Sequence, residues 1–230
     1  MIPPLLYLIL LSTLSPFRAE SGIMQSSMPH SGGSQSTART INLPDHFPLT
    51  NGLRWKYDSS LGETVSWVTF TGGDFLVISE SSPLKVRQRL RIAGDAVLLL
   101  ESESKTLLTH ERRTYRPPML RLPLRIEPGQ SWTWEGKEEV DGETISSRVN
   151  GVIEKEEKIK VPAGEFLCLK VKVTTISDDG TASSSTQWLA PGVGIVKGVV
   201  EIKPGGFTGF IVWLLGLDHF ELELEEITRP

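Results

Sequence analysis

Alanine and cysteine are both scarce in this chain of 230 residues, which contains seven alanines and one cysteine, Cys168. Alanine is the strongest helix former. The branched residues Val, Ile and Thr, which lose rotamer freedom in a helix and suit a pleated surface, number 49. That balance excludes a soluble all-α fold. A single cysteine excludes an intramolecular disulfide and a multi-cysteine zinc site. Positive charge is not in excess, the formal net charge being -4, so nucleic acid is not an expected partner. A membrane-spanning helix needs about 20 apolar residues. The longest runs here are the ten residues 5–14 and the eight residues 210–217, so no transmembrane span is expected.

Signatures of chemistry are missing as well. His30, His46, His110 and His219 are isolated, with no two at i,i+2 or i,i+4 spacing, so no metal site is expected. There is no Gly-x-Ser-x-Gly elbow, and no glycine-rich loop opens a helix as a phosphate cradle would. Glu101 and Glu103, like Glu221, Glu223 and Glu225, share a strand face as glycosidase acids can, but a solvated outer face explains them better. No catalytic residue and no cofactor follow from the sequence. What is present is a chain with 39% hydrophobic and 23% charged residues, enough to bury a core and unlike a disordered acidic tail.

Residues 5–14 have the length of a secretory h-region, and Ala19-Glu20-Ser21 places small residues where a signal peptidase reads them. The expected organisation is a signal peptide over 1–21, a flexible Ser/Gly-rich tether over 22–40, and one antiparallel β domain over 41–230. An uncleaved anchor, or a start at Met24 or Met28, are the alternatives. No cysteine follows the h-region to accept a lipid, so the mature chain is expected to be free in the periplasm or secreted. Cys168, between Leu167 and Leu169, is expected to be a buried, inert thiol.

Turn signals recur through the domain at Gly72-Gly73-Asp74, Gly94-Asp95, Asp141-Gly142, Asp179-Gly180 and Gly205-Gly206. Between them the hydrophobic period is two. Val86, Leu90 and Ile92 alternate with Lys85, Arg87, Arg89 and Arg91, and Leu167, Leu169, Val171 and Val173 share a face. Residues 152–160 have too few apolar positions for a helix and are read as strand, with Asn150-Gly151 marking a bulge or tight turn. Residues 210–217 read as a buried strand rather than a membrane-inserting segment. The fold class is therefore all-β: a single domain built as a curved antiparallel sheet or half-open barrel of meandering hairpins, with little or no helix.

Three segments carry a resemblance. They are Pro48-Leu49 with Gly52, Trp55 and Tyr57; Val161-Pro162-Ala163-Gly164 with Phe166, Lys170 and Val171; and Trp188-Leu189-Ala190-Pro191-Gly192-Val193-Gly194 with Val196 and Lys197. Over residues 48–197 the chain resembles a family of uncharacterised bacterial secreted proteins, the TapB-like family. The resemblance implies an exported, curved β-sheet related in shape to the half-open barrels of lipoprotein carriers, and it implies no catalytic residues. Physically, the Val-Pro-Ala-Gly and Pro-Gly-Val-Gly segments are strand corners, with proline setting one φ and glycine permitting a positive one.

Two groups of residues are the candidates for binding. Residues 84–125 hold ten Lys or Arg against four acids, while residues 126–166 hold five against ten. Lys85, Arg87, Arg89 and Arg91, with Arg112, Arg113 and Arg116, form a candidate patch for a polyanion such as anionic lipid or glycan; cross-strand pairing with Glu101 and Glu103 is the simpler reading. Trp132 and Trp134, two apart and so on one strand face, are candidates for a stacking platform or pocket wall, or else close the core. The leading functional expectation is a non-catalytic extracytoplasmic binding or carrier module whose sheet encloses an apolar groove. Its ligand would be lipid, glycan or another apolar or anionic envelope component. A structural or protein-interaction module of the envelope, with a filled interior, is the alternative, and a hydrolase the third reading.

Overall fold

Short turns between branched-residue strands organise most of the described residues. The computed structural model describes residues 41–82, 84–107, 109–203 and 219–230. The expected signal segment 1–21, the tether 22–40, the Gly205-Gly206 turn and the apolar run 210–217 lie outside the described residues. In chain order the strands are β1 (Ile41–Asn42), β2 (Arg54–Ser59), β3 (Thr64–Thr71), β4 (Asp74–Ser81), β5 (Leu84–Ala93), β6 (Ala96–Lys105) and β7 (His110–Pro123). They continue with β8 (Arg125–Ile126), β9 (Ser131–Val140), β10 (Glu143–Val161), β11 (Gly164–Ser177), β12 (Ala182–Ala190), β13 (Gly194–Lys203) and β14 (His219–Thr228), and a single helical turn, α1, covers Leu43–His46.

Twelve of these strands form a closed antiparallel barrel in the order β10-β11-β12-β13-β14-β2-β3-β4-β5-β6-β7-β9, while β1 and β8 pair separately. The all-β expectation holds, and the sheet closes on itself rather than staying half-open. Closure follows from β10, whose nineteen residues pair with β9 on one side and β11 on the other. Closure is over part of the strand length: β7 and β9 pair only through Arg113–Arg116 and Lys137–Val140, and beyond Val152 β10 pairs with β11 alone. The turns behave as their residues dictate: Asp141 and Gly142 join β9 to β10 with φ of 49° and 93°, both left-handed as a type I′ hairpin requires. Pro162-Ala163 turns β10 into β11, and Pro191-Gly192-Val193 turns β12 into β13, so both resemblance motifs are corners.

Two local readings are corrected. Asn150-Gly151 is neither turn nor bulge, because β10 runs through it in unbroken register with Thr133 and Trp132 of β9. The glycine is there for space: a Cβ on Gly151 would lie 2.1 Å from Cζ2 of Trp132, whose ring covers the backbone. The irregularity instead falls between Ile153 and Lys155. Beside it the inward parity of β11 changes, so Cys168 and Leu169 are both buried and Leu167 turns outward, 53% exposed.

Inward side chains form two packed clusters. One gathers Trp55, Tyr57, Val86, Val196, Phe220 and Leu224; the other gathers Leu90, Leu99, Tyr115, Trp132, Trp134, Ile153 and Leu189. Phe75, Val77 and Ile195 touch both. At about 1.5–3 kcal/mol per fully buried large apolar side chain, these residues dominate the stability of the barrel. The outer wall is charged: Lys56 pairs with Glu63 and Glu225, Arg148 with Glu135, Lys170 with Glu154, and Lys197 with Glu223. A membrane barrel presents an apolar band about 25 Å tall to lipid, whereas these ion pairs stand on the outer faces of β2, β9, β10, β11, β13 and β14. No helix among the described residues is long and apolar enough to cross a membrane.

Candidate functional site: an internal cavity with a buried arginine

Strands β14, β2, β3, β4 and β5 make one wall of the barrel interior, and the segment after α1 crosses the end of the barrel near the β12–β13 turn. There Asp45 accepts a hydrogen bond from the Gly192 amide at its carbonyl, and Pro48 lies against Gly194. Between this segment and the wall lies a cavity of about 80 Å³, lined by Phe47, Pro48, Leu49, Trp55, Tyr57, Leu61, Val77, Leu84, Val86, Ile195, Phe220 and Leu222. It has room for several water molecules or a short apolar chain. Its aromatic walls are held in place from behind: Trp55 Nε1 donates to the Val193 carbonyl at 2.6 Å and the Tyr57 hydroxyl to the Ile195 carbonyl at 3.1 Å. Burial pushes the Tyr57 phenol up, so it stays a neutral donor.

A few polar groups interrupt the apolar lining. Ser66 and Ser79 satisfy each other across the β3–β4 ladder at 2.7 Å. Gln88 and Arg121 also line the cavity, at 7% and 6% exposure. Among the described residues, the amide nitrogen of Gln88 and Nε of Arg121 have no hydrogen-bond partner. The Arg121 guanidinium donates through Nη2 to Oε1 of Gln187 at 3.2 Å and lies 5.8 Å from the centre of the Phe47 ring. Burial pulls it down to about 10, against a weaker upward influence of Tyr115.

A second polar group inside the barrel is differently arranged. Arg113 donates to Glu111 at 3.0 Å and to Glu138 in a shorter contact, with all three residues buried. Burial pushes the Glu111 carboxyl up, with the Arg113 charge opposing it. Tyr115 and Ser102 hydroxyls meet at 3.0 Å, and those of Ser147 and Ser177 at 2.8 Å. Cys168 is buried and its thiol pushed up to about 12 by burial and then by Glu157, which leaves it a protonated core residue.

The candidates read from the sequence are placed as follows. Lys85, Arg87, Arg89 and Arg91 line the outer face of β5, and Arg112 and Arg116 that of β7, but Arg113 does not join them: inward on β7, it belongs to the buried triad. Each outer cation has a carboxylate partner. Lys85 pairs with Glu80, Arg87 with Glu103, Arg112 with Glu101 and Arg116 with Glu139, while Arg89 and Arg91 share the fully buried Asp74 at 2.7 Å each. The two guanidinium groups hold the Asp74 carboxyl below its ordinary range, Arg91 more than Arg89. Near-neutral pairing of this kind spends the field that a polyanion would need. Trp132 and Trp134 share the inner face but lie in the second cluster, away from the cavity, covering Gly151 and Gly136. Trp134 meets Tyr115 edge to face at 6.1 Å.

Arg121 and Gln88 did not stand out in the sequence. The usable signal was Arg121 as a lone cation within Pro117-Pro118-Met119-Leu120-Arg121-Leu122-Pro123-Leu124. Its inward direction was hidden because the β6–β7 register shifts twice, between Val97 and Leu98 and between Leu99 and Glu101.

Fold and site together define a closed antiparallel barrel with an internal cavity. Among known proteins, a family model described as DUF3108-like matches residues 137–199. No curated protein matches the chain. Solved structures similar to it include the hypothetical lipoprotein YmcC from Escherichia coli, with TM-score 0.42 and 12% identity over 87% of this chain and 100% of that one. An exported-protein candidate with a YmcC-like fold from Bacteroides fragilis has TM-score 0.38 and 15% identity over 80% and 99%. A lipoprotein candidate from Parabacteroides distasonis has TM-score 0.38 and 14% identity over 80% and 98%. Likeness at this level carries no functional argument, and the TapB-like resemblance is not among the matches.

Proposed function

We propose that this chain is a non-catalytic binding or carrier module of the cell envelope that takes an apolar ligand into the barrel. The supporting observation is the cavity between residues 47–49 and the β14-β2-β3-β4-β5 wall, with its aliphatic and aromatic lining. A barrel required only to hold itself together gains most by filling its interior with side chains, since packed atoms contribute dispersion contacts that a void does not. The h-region of residues 5–14 supports the envelope location. A structural or interaction module would be served by a filled interior, and the cavity favours the first reading over it.

Titration with 1-butanol, short enough for the cavity, tests this reading. Trp55 forms part of the wall, so butanol is expected to change tryptophan emission saturably at one molecule per chain. Val86→Phe, which fills the space, is expected to abolish the change while leaving the melting transition in place. A flat titration of the unaltered, folded chain overturns the proposal.

A further inference from the structure

We infer that the cavity is built for an amphipathic acid, an apolar tail ending in one carboxylate, with Arg121 as the group that receives the head and Gln88 as a second donor lining the same cavity. The inference rests on the binding reading above and specifies its ligand class. Three observations carry it. Arg121 and Gln88 line the apolar cavity and are each more than nine-tenths buried. Among the described residues, Arg121 Nε and the Gln88 amide nitrogen are donors without acceptors, and the guanidinium, which carries five N–H bonds, donates through Nη2 to Gln187. No carboxylate among the described residues lies within ion-pair distance of Arg121, although six arginines of the same sheet region, Arg87, Arg89, Arg91, Arg112, Arg113 and Arg116, each have one.

A buried guanidinium with unused donors is unfavourable in the empty barrel, because its lost hydration is replaced by one neutral amide oxygen and the face of Phe47. A carboxylate supplies what is missing: opposite charge and two oxygens that match the planar fork. The apolar wall then takes the tail, and the cavity volume of about 80 Å³ limits that tail to a short chain. The lowered pKa of Arg121 expresses the same deficit, and it still leaves the group cationic at neutral pH.

Butanoate and 1-butanol, which share a chain short enough for the cavity and differ in head charge, are the probes, added to the full chain and read by calorimetry and tryptophan emission. Butanoate is expected to bind at least tenfold more tightly than butanol. Arg121→Met is expected to lower butanoate affinity about 10- to 100-fold, the range for losing hydrogen bonds to a charged group, with butanol affinity unchanged. Arg121→Lys, which keeps the charge and loses the fork, is expected to fall between, and Gln88→Met to weaken butanoate by a smaller factor. Equal binding of both probes to the unaltered chain overturns the head-group assignment while leaving the apolar cavity reading intact. Binding of neither overturns both. Unchanged butanoate affinity in a folded Arg121→Met chain also overturns the role of Arg121.

Discussion

Arg113 and Arg121 stand eight residues apart on β7, both side chains buried in the same barrel, and their surroundings are opposite. Arg113 is held between Glu111 and Glu138. Arg121 has a glutamine oxygen, an aromatic face and open cavity. Both arginines are buried charges, but among the described residues only Arg113 has carboxylates within ion-pair distance. Buried charge closes on itself where it holds strands β7 and β9 in register, and stays open where the barrel has left space. The same residue type marks structure in one place and a candidate binding group in the other, and its partners make the distinction.

Removing each arginine should act in opposite directions. Arg113→Met leaves two carboxylates buried without their cation and is expected to cost about 3–5 kcal/mol, seen as a lower denaturant midpoint. Arg121→Met removes an uncompensated charge and is expected to raise stability by about 1–3 kcal/mol in the absence of ligand. A gain in stability paired with a loss of butanoate binding is the pattern of a group kept for function. If Arg121→Met destabilises the barrel as much as Arg113→Met does, the contrast between the two arginines fails.

Glu111 offers a finer test through pH. Its folded pKa is raised above the ordinary carboxylate value near 4.5 by burial. A raised folded pKa means that the native chain binds more protons, so this group's contribution to stability is full below about pH 4.5 and is lost as pH rises through the folded value. Glu111→Gln removes that titration. Relative to the variant, the unaltered chain is expected to lose stability on going from pH 4.5 to pH 7, read from denaturation midpoints. A difference independent of pH would show that Arg113 neutralises Glu111 completely.

Much of the architecture was legible in local chemistry. Scarce alanine, abundant branched residues, period-two alternation and glycine-containing turns at 72–73, 94–95 and 141–142 place hairpins where β3–β4, β5–β6 and β9–β10 are found. The outer cations of β5 and their acidic neighbours were legible too, since cross-strand pairs follow from alternation and turn position. Arg113 was misplaced with the outer cations because strand parity on β7 cannot be assigned without the β6 register. Leu167 was misplaced for the same reason beside the irregularity at Ile153/Lys155. Gly151 looked like a turn because the requirement it meets comes from Trp132 on another strand.

The sequence by itself determined the class of fold, the hairpin corners and the charged outer wall, because each depends on residues within a strand or its immediate turn. Tertiary structure alone decided that the sheet closes on itself, that residues 47–49 leave a cavity against the far wall, and that Arg121 rather than Arg113 faces it without a carboxylate. Closure, empty volume and charge compensation are sums over strands far apart in the chain, and no local pattern records them.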